Sequence, residues 1–372
     1  MGKYWRQIKK HWHKKPFLKE SKNILCRLFR VNARRIAMSK ESAEDKNYTL
    51  KNKEKETYAI DIIKDLGELV DRSYEDIDFL KPGFVHGTVG AIVAAGGVGK
   101  TFFALQTAIE IAGGMPACYV TETGEIQKKE LKAGGVLYMY AEDPEVMIGQ
   151  RVQSIFNIYK TANAVKEHQK LARKNLKLWP LIGKSPDILN KELVSAIEKA
   201  ASRLFTEKKI ELRLIIFDTL RRFSFADEND GGQMAKVLST FESLCLKLGC
   251  SCLFLHHTSK AAAITGQTSL QQAARGSSVL TDNIRYQEFL APMTPDEASQ
   301  YGIVGENGII GEDNRQWYVR WGVSKQNYGR PVRDMWLQKS NTGVLIPIEL
   351  EKKTKQSTKK SSSSRSFKDE DF

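Results

Sequence analysis

The segment Ala94-Ala-Gly-Gly-Val-Gly-Lys-Thr101 limits what this 372-residue chain can be more than any other stretch. It follows a short apolar run, Gly90-Ala-Ile-Val-Ala94. It opens a helical pattern from Thr101 to Ala112, which Gly113, Gly114 and Pro116 close. A glycine-rich turn between a strand and a helix, ending in Lys-Thr, is the arrangement that cradles phosphate. The backbone N–H groups of Gly96, Gly97, Val98 and Gly99, with the helix N-terminus, would face the phosphate oxygens. Lys100 would add a point charge and Thr101 a hydroxyl ligand for Mg2+. The first glycine of the usual formula is Ala94 here, and the Gly96-Gly97 pair can supply the conformational freedom instead. The competing reading is a glycine-rich turn that merely contains a lysine.

The middle of the chain repeats strand, turn and helix. Val136-Leu-Tyr-Met-Tyr140, Leu214-Ile-Ile-Phe217 and Cys252-Leu-Phe-Leu255 are continuous apolar runs, the mark of strands buried on both faces. Val237, Leu238, Phe241, Leu244, Cys245 and Leu248 fall on one helical face, closed by Gly249. Such alternation predicts an α/β domain with a mostly parallel central sheet flanked by helices. From Trp317 the texture changes to short runs, Trp317–Val323, Met335-Trp-Leu and Val344-Leu-Ile-Pro-Ile, between glycine-containing turns. These predict an antiparallel C-terminal extension of the same sheet.

Composition sharpens the boundaries. The formal charge of +14 sits at the two ends: residues 1–56 carry +11 and residues 351–372 carry +3, which leaves the middle neutral. Both ends are too polar to offset the entropy of ordering, so three segments are expected. These are a basic arm over 1–57, a folded domain over 58–350 and a Lys/Ser-rich tail over 351–372. Met38 is followed by what reads as an ordinary polar N-terminus, so residues 1–37 also read as upstream read-through. No run of about 18 apolar residues is present, which excludes a helical membrane span. The five cysteines show neither paired nor metal-ligand spacing, and Cys250 and Cys252 alternate in an apolar run. A cytoplasmic protein without structural disulfides or zinc is expected.

Acidic and imidazole groups gather at the ends of the expected strands, where ligands collect in open α/β sheets. Asp218 follows Leu214–Phe217 and should hold Mg2+ beside Thr101, directly or through water; a capping aspartate is the alternative. Glu142, after Val136–Tyr140, would orient and polarise an attacking water, whereas Asp143 before Pro144 reads equally as a turn residue. His256 and His257 end another strand, where one can sense the γ-phosphate. Adjacent strand residues point to opposite faces and make poor co-ligands for a metal. The polar stretch Thr258–Ser278, with Lys260 and Arg275 as its cations, suits a polyanion grip or an unstructured surface insertion.

Taken in order, Gly96–Thr101, Ala141-Glu-Asp-Pro144, Asp218–Phe223, Phe254–His257, Ala274–Leu280, Asp282–Arg285 and Gly322–Gly329 resemble the RepA-type replicative helicases of broad-host-range plasmids. The resemblance spans roughly residues 80–350. It implies a RecA-like P-loop ATPase fold in a bacterial cytoplasmic protein. It also implies a ring-shaped homohexamer that uses ATP and Mg2+ to translocate 5′→3′ on single-stranded DNA and unwind forked duplex, with a plasmid initiator and a primase as partners. It carries Lys100, Glu142, Asp218 and His257 onto the catalytic, metal-binding and phosphate-sensing roles. Arg285 matches a finger reaching the neighbouring subunit's nucleotide, and Arg151 matches an arginine near the adenine. DnaB-type relatives carry Lys-x-Arg on a late strand. Lys325-Gln-Asn327 keeps only the lysine, as a trans contact, and leaves the finger to Arg285. An ATP-dependent DNA clamp or loader, and a DNA-binding regulator that does not unwind, are the rival expectations.

Overall fold

The computed structural model describes residues 64–121, 126–160, 166–258 and 278–353. The arm over 1–57, nearly all of the tail, and both Lys260 and Arg275 lie outside the described residues.

Nine strands form the central sheet: β1 (Val89–Ala94), β2 (Gly135–Tyr140), β3 (Leu176–Pro180), β4 (Leu212–Asp218), β5 (Ser251–His257), β6 (Tyr286–Pro292), β7 (Tyr318–Gln326), β8 (Met335–Lys339) and β9 (Leu345–Ile348). Their spatial order is β9-β8-β7-β6-β1-β5-β4-β2-β3. From β6 to β3 all neighbours run parallel. β6 to β9 pair antiparallel. This is the expected mostly parallel sheet with an antiparallel C-terminal extension.

Period-two alternation divides the strand side chains between two cores. One face gathers Ala91, Val93, Met139, Ile215, Phe217 and Phe254. They lie under α4 (Lys191–Leu204) and α6 (Gly231–Leu248), with Phe241 stacked 5.7 Å from Phe254. The other face gathers Ile92, Tyr138, Ile216, Leu253 and Leu255 under α1 (Lys100–Gly113), α2 (Glu145–Lys160) and α3 (Lys166–Asn175). Both faces are covered, so β1, β2 and β4 are buried along their whole length. Gln106 of α1 fastens the extension, donating to the Leu345 carbonyl at 2.8 Å and accepting from the Leu345 amide at 3.0 Å.

Several local expectations shift. Cys250 precedes β5 rather than lying within it, and it is buried and free, as are Cys245 and Cys252. Leu350–Lys352 pairs antiparallel with Tyr301–Ile303, which carries strand structure past the expected boundary at residue 350. A side sheet of Ala117–Thr121, Ile126–Lys129 and Val332–Arg333, which the sequence did not signal, pairs two distant parts of the chain. Among the described residues, no helix is long and apolar enough to cross a membrane.

A buried ion pair ties the entry segment to the sheet. Lys81 Nζ lies 2.8 Å from Glu288 Oε2 on β6, with both side chains almost wholly out of water. Trp321 Nε1 on β7 donates to the same oxygen at 2.7 Å, and the Lys81 ammonium also lies over the Phe103 ring. Removing one partner strands the other charge. Glu288→Ala is therefore expected to lower unfolding free energy by about 3–5 kcal/mol in urea titration. The paired change Lys81→Met with Glu288→Leu, which removes both charges, should cost distinctly less.

Candidate active site

Register brings the chemistry to one line. Ala94 is level with His257, and Tyr140 with Asp218. The loops leaving β1, β5, β4 and β2 therefore emerge side by side at the C-terminal edge of the parallel strands. β5 lies between β1, which enters the phosphate loop, and β4, which ends in Asp218. In that loop Gly97 (φ 74°) and Gly99 (φ 119°) take the left-handed conformations that side chains resist. Gly96 does not, so the freedom expected of the Gly96-Gly97 pair belongs to Gly97 and Gly99. Nothing lies within 4 Å of where a Cβ on Gly96 or Gly97 would stand, so there is open space beside the turn at both. Gly99 caps α1 without any side-chain hydrogen bond, which leaves the first amides of the helix facing that space.

Lys100 is buried and points back into the loop. Its Nζ donates to the carbonyls of Ala94 at 2.9 Å and Ala95 at 3.1 Å and contacts His257 Nδ1 at 3.2 Å. Burial pushes its pKa down to about 8 against the opposing pull of Asp218 and Glu142. Burial, reinforced by Lys100, also lowers the pKa of His257. A protonated Lys100 requires Nδ1 of His257 to accept, so the imidazole is neutral with its proton on Nε2. His256 turns to the opposite face, edge-on to Phe254. The two histidines do not converge on a metal, as their adjacency implied.

Asp218 is buried beneath the loop. Tyr138 OH donates to its Oδ2 at 2.7 Å, and the Thr101 hydroxyl stands near enough to favour the charged carboxylate. Burial raises its pKa to about 6 despite those donors. Its other oxygen, Oδ1, is buried without a partner. An orphaned carboxylate oxygen beside a threonine hydroxyl is a hard-oxygen donor set with a free position, which fits Mg2+. Asp78, His86 and Glu211 form another close group of potential ligands at the far end of β4. There Arg213 already takes both oxygens of Asp78, at 2.7 and 2.6 Å, and Lys132 pairs with Glu211 at 2.7 Å, so two cations balance the two carboxylates.

Glu142 is the group sequence reasoning favoured over Asp143, and the two carboxylates diverge. Glu142 Oε1 accepts from Thr219 Oγ1 at 2.9 Å and lies 3.6 Å from Arg222 Nε. Asp143 pairs with Arg151 of α2, whose guanidinium lies 5.6 Å from the ring centre of Phe102, one residue past Thr101. The structure thus places Arg151 on the flank of the phosphate loop. Thr219 and Arg222 were absent from the expected site. Their signal was membership of the Asp218–Phe223 run, in which neither was singled out.

Arg285 lies elsewhere. It is exposed, and its amide donates to the Val89 carbonyl at the start of β1. Five residue steps of strand, about 17 Å, separate that point from the phosphate loop. Arg285 therefore cannot reach its own chain's loop. Lys325, expected as a contact to a neighbour, is engaged within its own chain. Its Nζ donates at 2.7 Å to the carbonyls of Thr281 and Asp282 in α7 (Ser278–Asn283). Helix-end geometry accounts for this contact: unpaired carbonyls at the end of a helix attract a nearby ammonium.

The two shifted groups set a pH window. A nucleotide held here with Mg2+ would need the Lys100 ammonium and the Asp218 carboxylate. Affinity should fall as pH rises through about 8, where the ammonium deprotonates, and as pH drops through about 6, where the carboxylate takes a proton. Fluorescent-nucleotide titrations across this range should show both limbs. Lys100→Met should abolish the upper limb and Asp218→Asn the lower.

Comparison with known proteins supplies the family. Among solved structures, one described as an ATPase domain superimposes with a TM-score of 0.45 at 15% identity, covering 70% of this chain and 85% of that one. A DnaB-like replicative helicase, described together with its interactions with primase, gives a TM-score of 0.47 at 15% identity. That match covers 71% of this chain and 58% of the helicase. The profile of the AAA domain family AAA_25 matches residues 69–263, more than half of the sequence, and includes the phosphate loop, Glu142, Asp218 and His257. The chain belongs to this AAA domain family.

Proposed function

We propose that this protein is an ATP-driven replicative DNA helicase, a ring-shaped homohexamer that moves 5′→3′ along single-stranded DNA and unwinds duplex during plasmid replication. The observation that carries the reading is the division of one catalytic set between opposite ends of the sheet. Lys100, Asp218, Glu142 and His257 meet at the C-terminal edge, while the exposed Arg285 stands at the other. A nucleotide site completed by a second subunit accounts for that separation, and head-to-tail repetition of such a contact closes into a ring. The ordered run of motifs shared with RepA-type helicases supports DNA as the track. It also supports a plasmid initiator and a primase as partners.

In this reading ATP lies with its β- and γ-phosphates against the amides of Gly96–Thr101 and the Lys100 ammonium. Thr101 and Asp218 would hold a magnesium ion, which when bound withdraws electron density from the phosphate oxygens. Glu142 accepts a proton from water as the water oxygen bonds to the γ-phosphorus, and the bond from that phosphorus to the bridging oxygen of ADP breaks. Arg285 of the next subunit neutralises charge developing on the γ-phosphate, a contribution of about 10³–10⁵ in rate for such fingers. Loss of phosphate leaves His257 to return to Lys100. The stretch 258–278, with Lys260 and Arg275, shifts its hold on the strand. Only a difference in DNA affinity between nucleotide states makes that motion directional.

DNA-stimulated ATP hydrolysis measured beside unwinding of a forked duplex tests the reading. Lys100→Ala should abolish both. Glu142→Gln should keep ATP bound and the ring assembled while losing turnover. Arg285→Ala should bind ATP yet lose turnover, and mixing it with Glu142→Gln should partly restore hydrolysis. Hydrolysis without unwinding would replace the helicase with a DNA clamp or loader. Failure of the mixed assembly to recover would remove the trans finger.

A further inference from the structure

Glu142 does not face an open site alone. Its Oε1 carries two contacts, the Thr219 hydroxyl at 2.9 Å and the Arg222 guanidinium at 3.6 Å. Both donors come from the first turn after Asp218, where α5 (Leu220–Phe223) begins. Leu220 and Phe223 are buried and fix this short helix, Phe223 standing edge-on to Phe217 at 5.4 Å. The same anchoring turns Arg221 and Arg222 outward, and Phe225, two residues further on, is 64% exposed. Arg221 has no partner among the described residues.

We propose that Arg222 couples polynucleotide binding to hydrolysis: it occupies Glu142 while the protein is free of nucleic acid and releases it when a backbone phosphate takes the guanidinium. The inference rests on the reading of Glu142 as the group that accepts water's proton. With the Thr219 hydroxyl and the Arg222 guanidinium both on Oε1, that oxygen is turned to its own chain and is not free to receive a water. Arg222 is therefore a positioning residue whose effect is to hold the rate down.

The chemistry of the surface names the partner. Two adjacent guanidiniums suit successive phosphates, and an exposed phenyl ring suits an unstacked base, so the ledge Arg221–Arg222–Phe225 fits single-stranded nucleic acid. The latch is also weak enough to open. Arg222 and Glu142 are 57% and 39% exposed, and ion pairs of that exposure are worth little beside a polyanion that releases counterions on binding. Thr219 stays on Glu142 throughout, which keeps the carboxylate aimed after Arg222 leaves.

The test uses the full chain and a single-stranded oligothymidylate, with ATP turnover measured in its absence and presence. Arg222→Ala is expected to raise oligonucleotide-free turnover about two- to fivefold, the range an exposed ion pair supports, and to bring the stimulation ratio close to one. Arg222→Lys, which restores a cation opposite Glu142, should return the low starting rate and part of the stimulation. Arg221→Ala should raise the oligonucleotide concentration needed for half-maximal stimulation. An Arg222→Ala protein whose free rate is unchanged or lower, or whose stimulation ratio persists, overturns the latch. A parental rate insensitive to Glu142→Gln overturns instead the reading of the site beneath it.

Discussion

Keeping an ammonium out of water with no carboxylate bonded to it is the constraint around which this molecule is arranged. Lys100 Nζ finds its hydrogen-bond acceptors in two loop carbonyls and one imidazole nitrogen. All three must be delivered by chain segments that are remote in sequence or sharply turned. The carbonyls of Ala94 and Ala95 are available because Gly97 and Gly99 fold the loop back over the end of β1. The imidazole is available because β5 pairs with β1 in a register that sets His257 level with Ala94. A slip of one residue would carry His257 to the opposite face and bring His256 in its place. The fold's precision at this edge thus follows from the cost of leaving a buried charge unsatisfied.

The parallel core was readable because its strands must be apolar on both sides, and the runs at Val136–Tyr140, Leu214–Phe217 and Cys252–Leu255 have few other uses. The antiparallel extension announced itself by shorter, aromatic-rich runs between glycine turns. β3, with lysine and tryptophan at half-buried positions, carries no such signature, and its existence depends on β2 beside it. The side sheet escaped for the same reason: Val332–Arg333 is too short to be recognised alone and is defined by its pairing with Ala117–Thr121. In the candidate site, the gathering of Lys100, Thr101, Asp218 and Glu142 was legible because each lies at a strand end or in the glycine turn and helix start that follow one. Thr219 and Arg222 lie in the Asp218–Phe223 run that carries the resemblance, but no general chemistry demands a hydroxyl or guanidinium there, so neither received a role. Arg285 could be assigned only by resemblance, because under the proposed assembly its partner would be another subunit's nucleotide.

The two faces of the sheet divide labour. The face bearing α4 and α6 is aromatic and aliphatic and holds the phenyl rings of Phe217, Phe241 and Phe254 in contact. The α1 face has to admit polar groups as well. Tyr138 is buried there with its hydroxyl committed to Asp218, and Glu288 receives Lys81 and Trp321 further along the sheet. These polar contacts rigidify the floor of the site, since each buried group has few alternative partners.

The placement of Arg285 at the opposite edge from the phosphate loop has a consequence for inheritance. Under the proposed assembly a copy with a damaged finger harms a neighbour and leaves its own pocket sound. A cell that carries an intact and a defective gene together would accordingly build mixed circles in which faults and competent positions are displaced by one place. The idle pockets would equal the defective copies in number, yet each would sit in a chain whose own sequence at that pocket is intact.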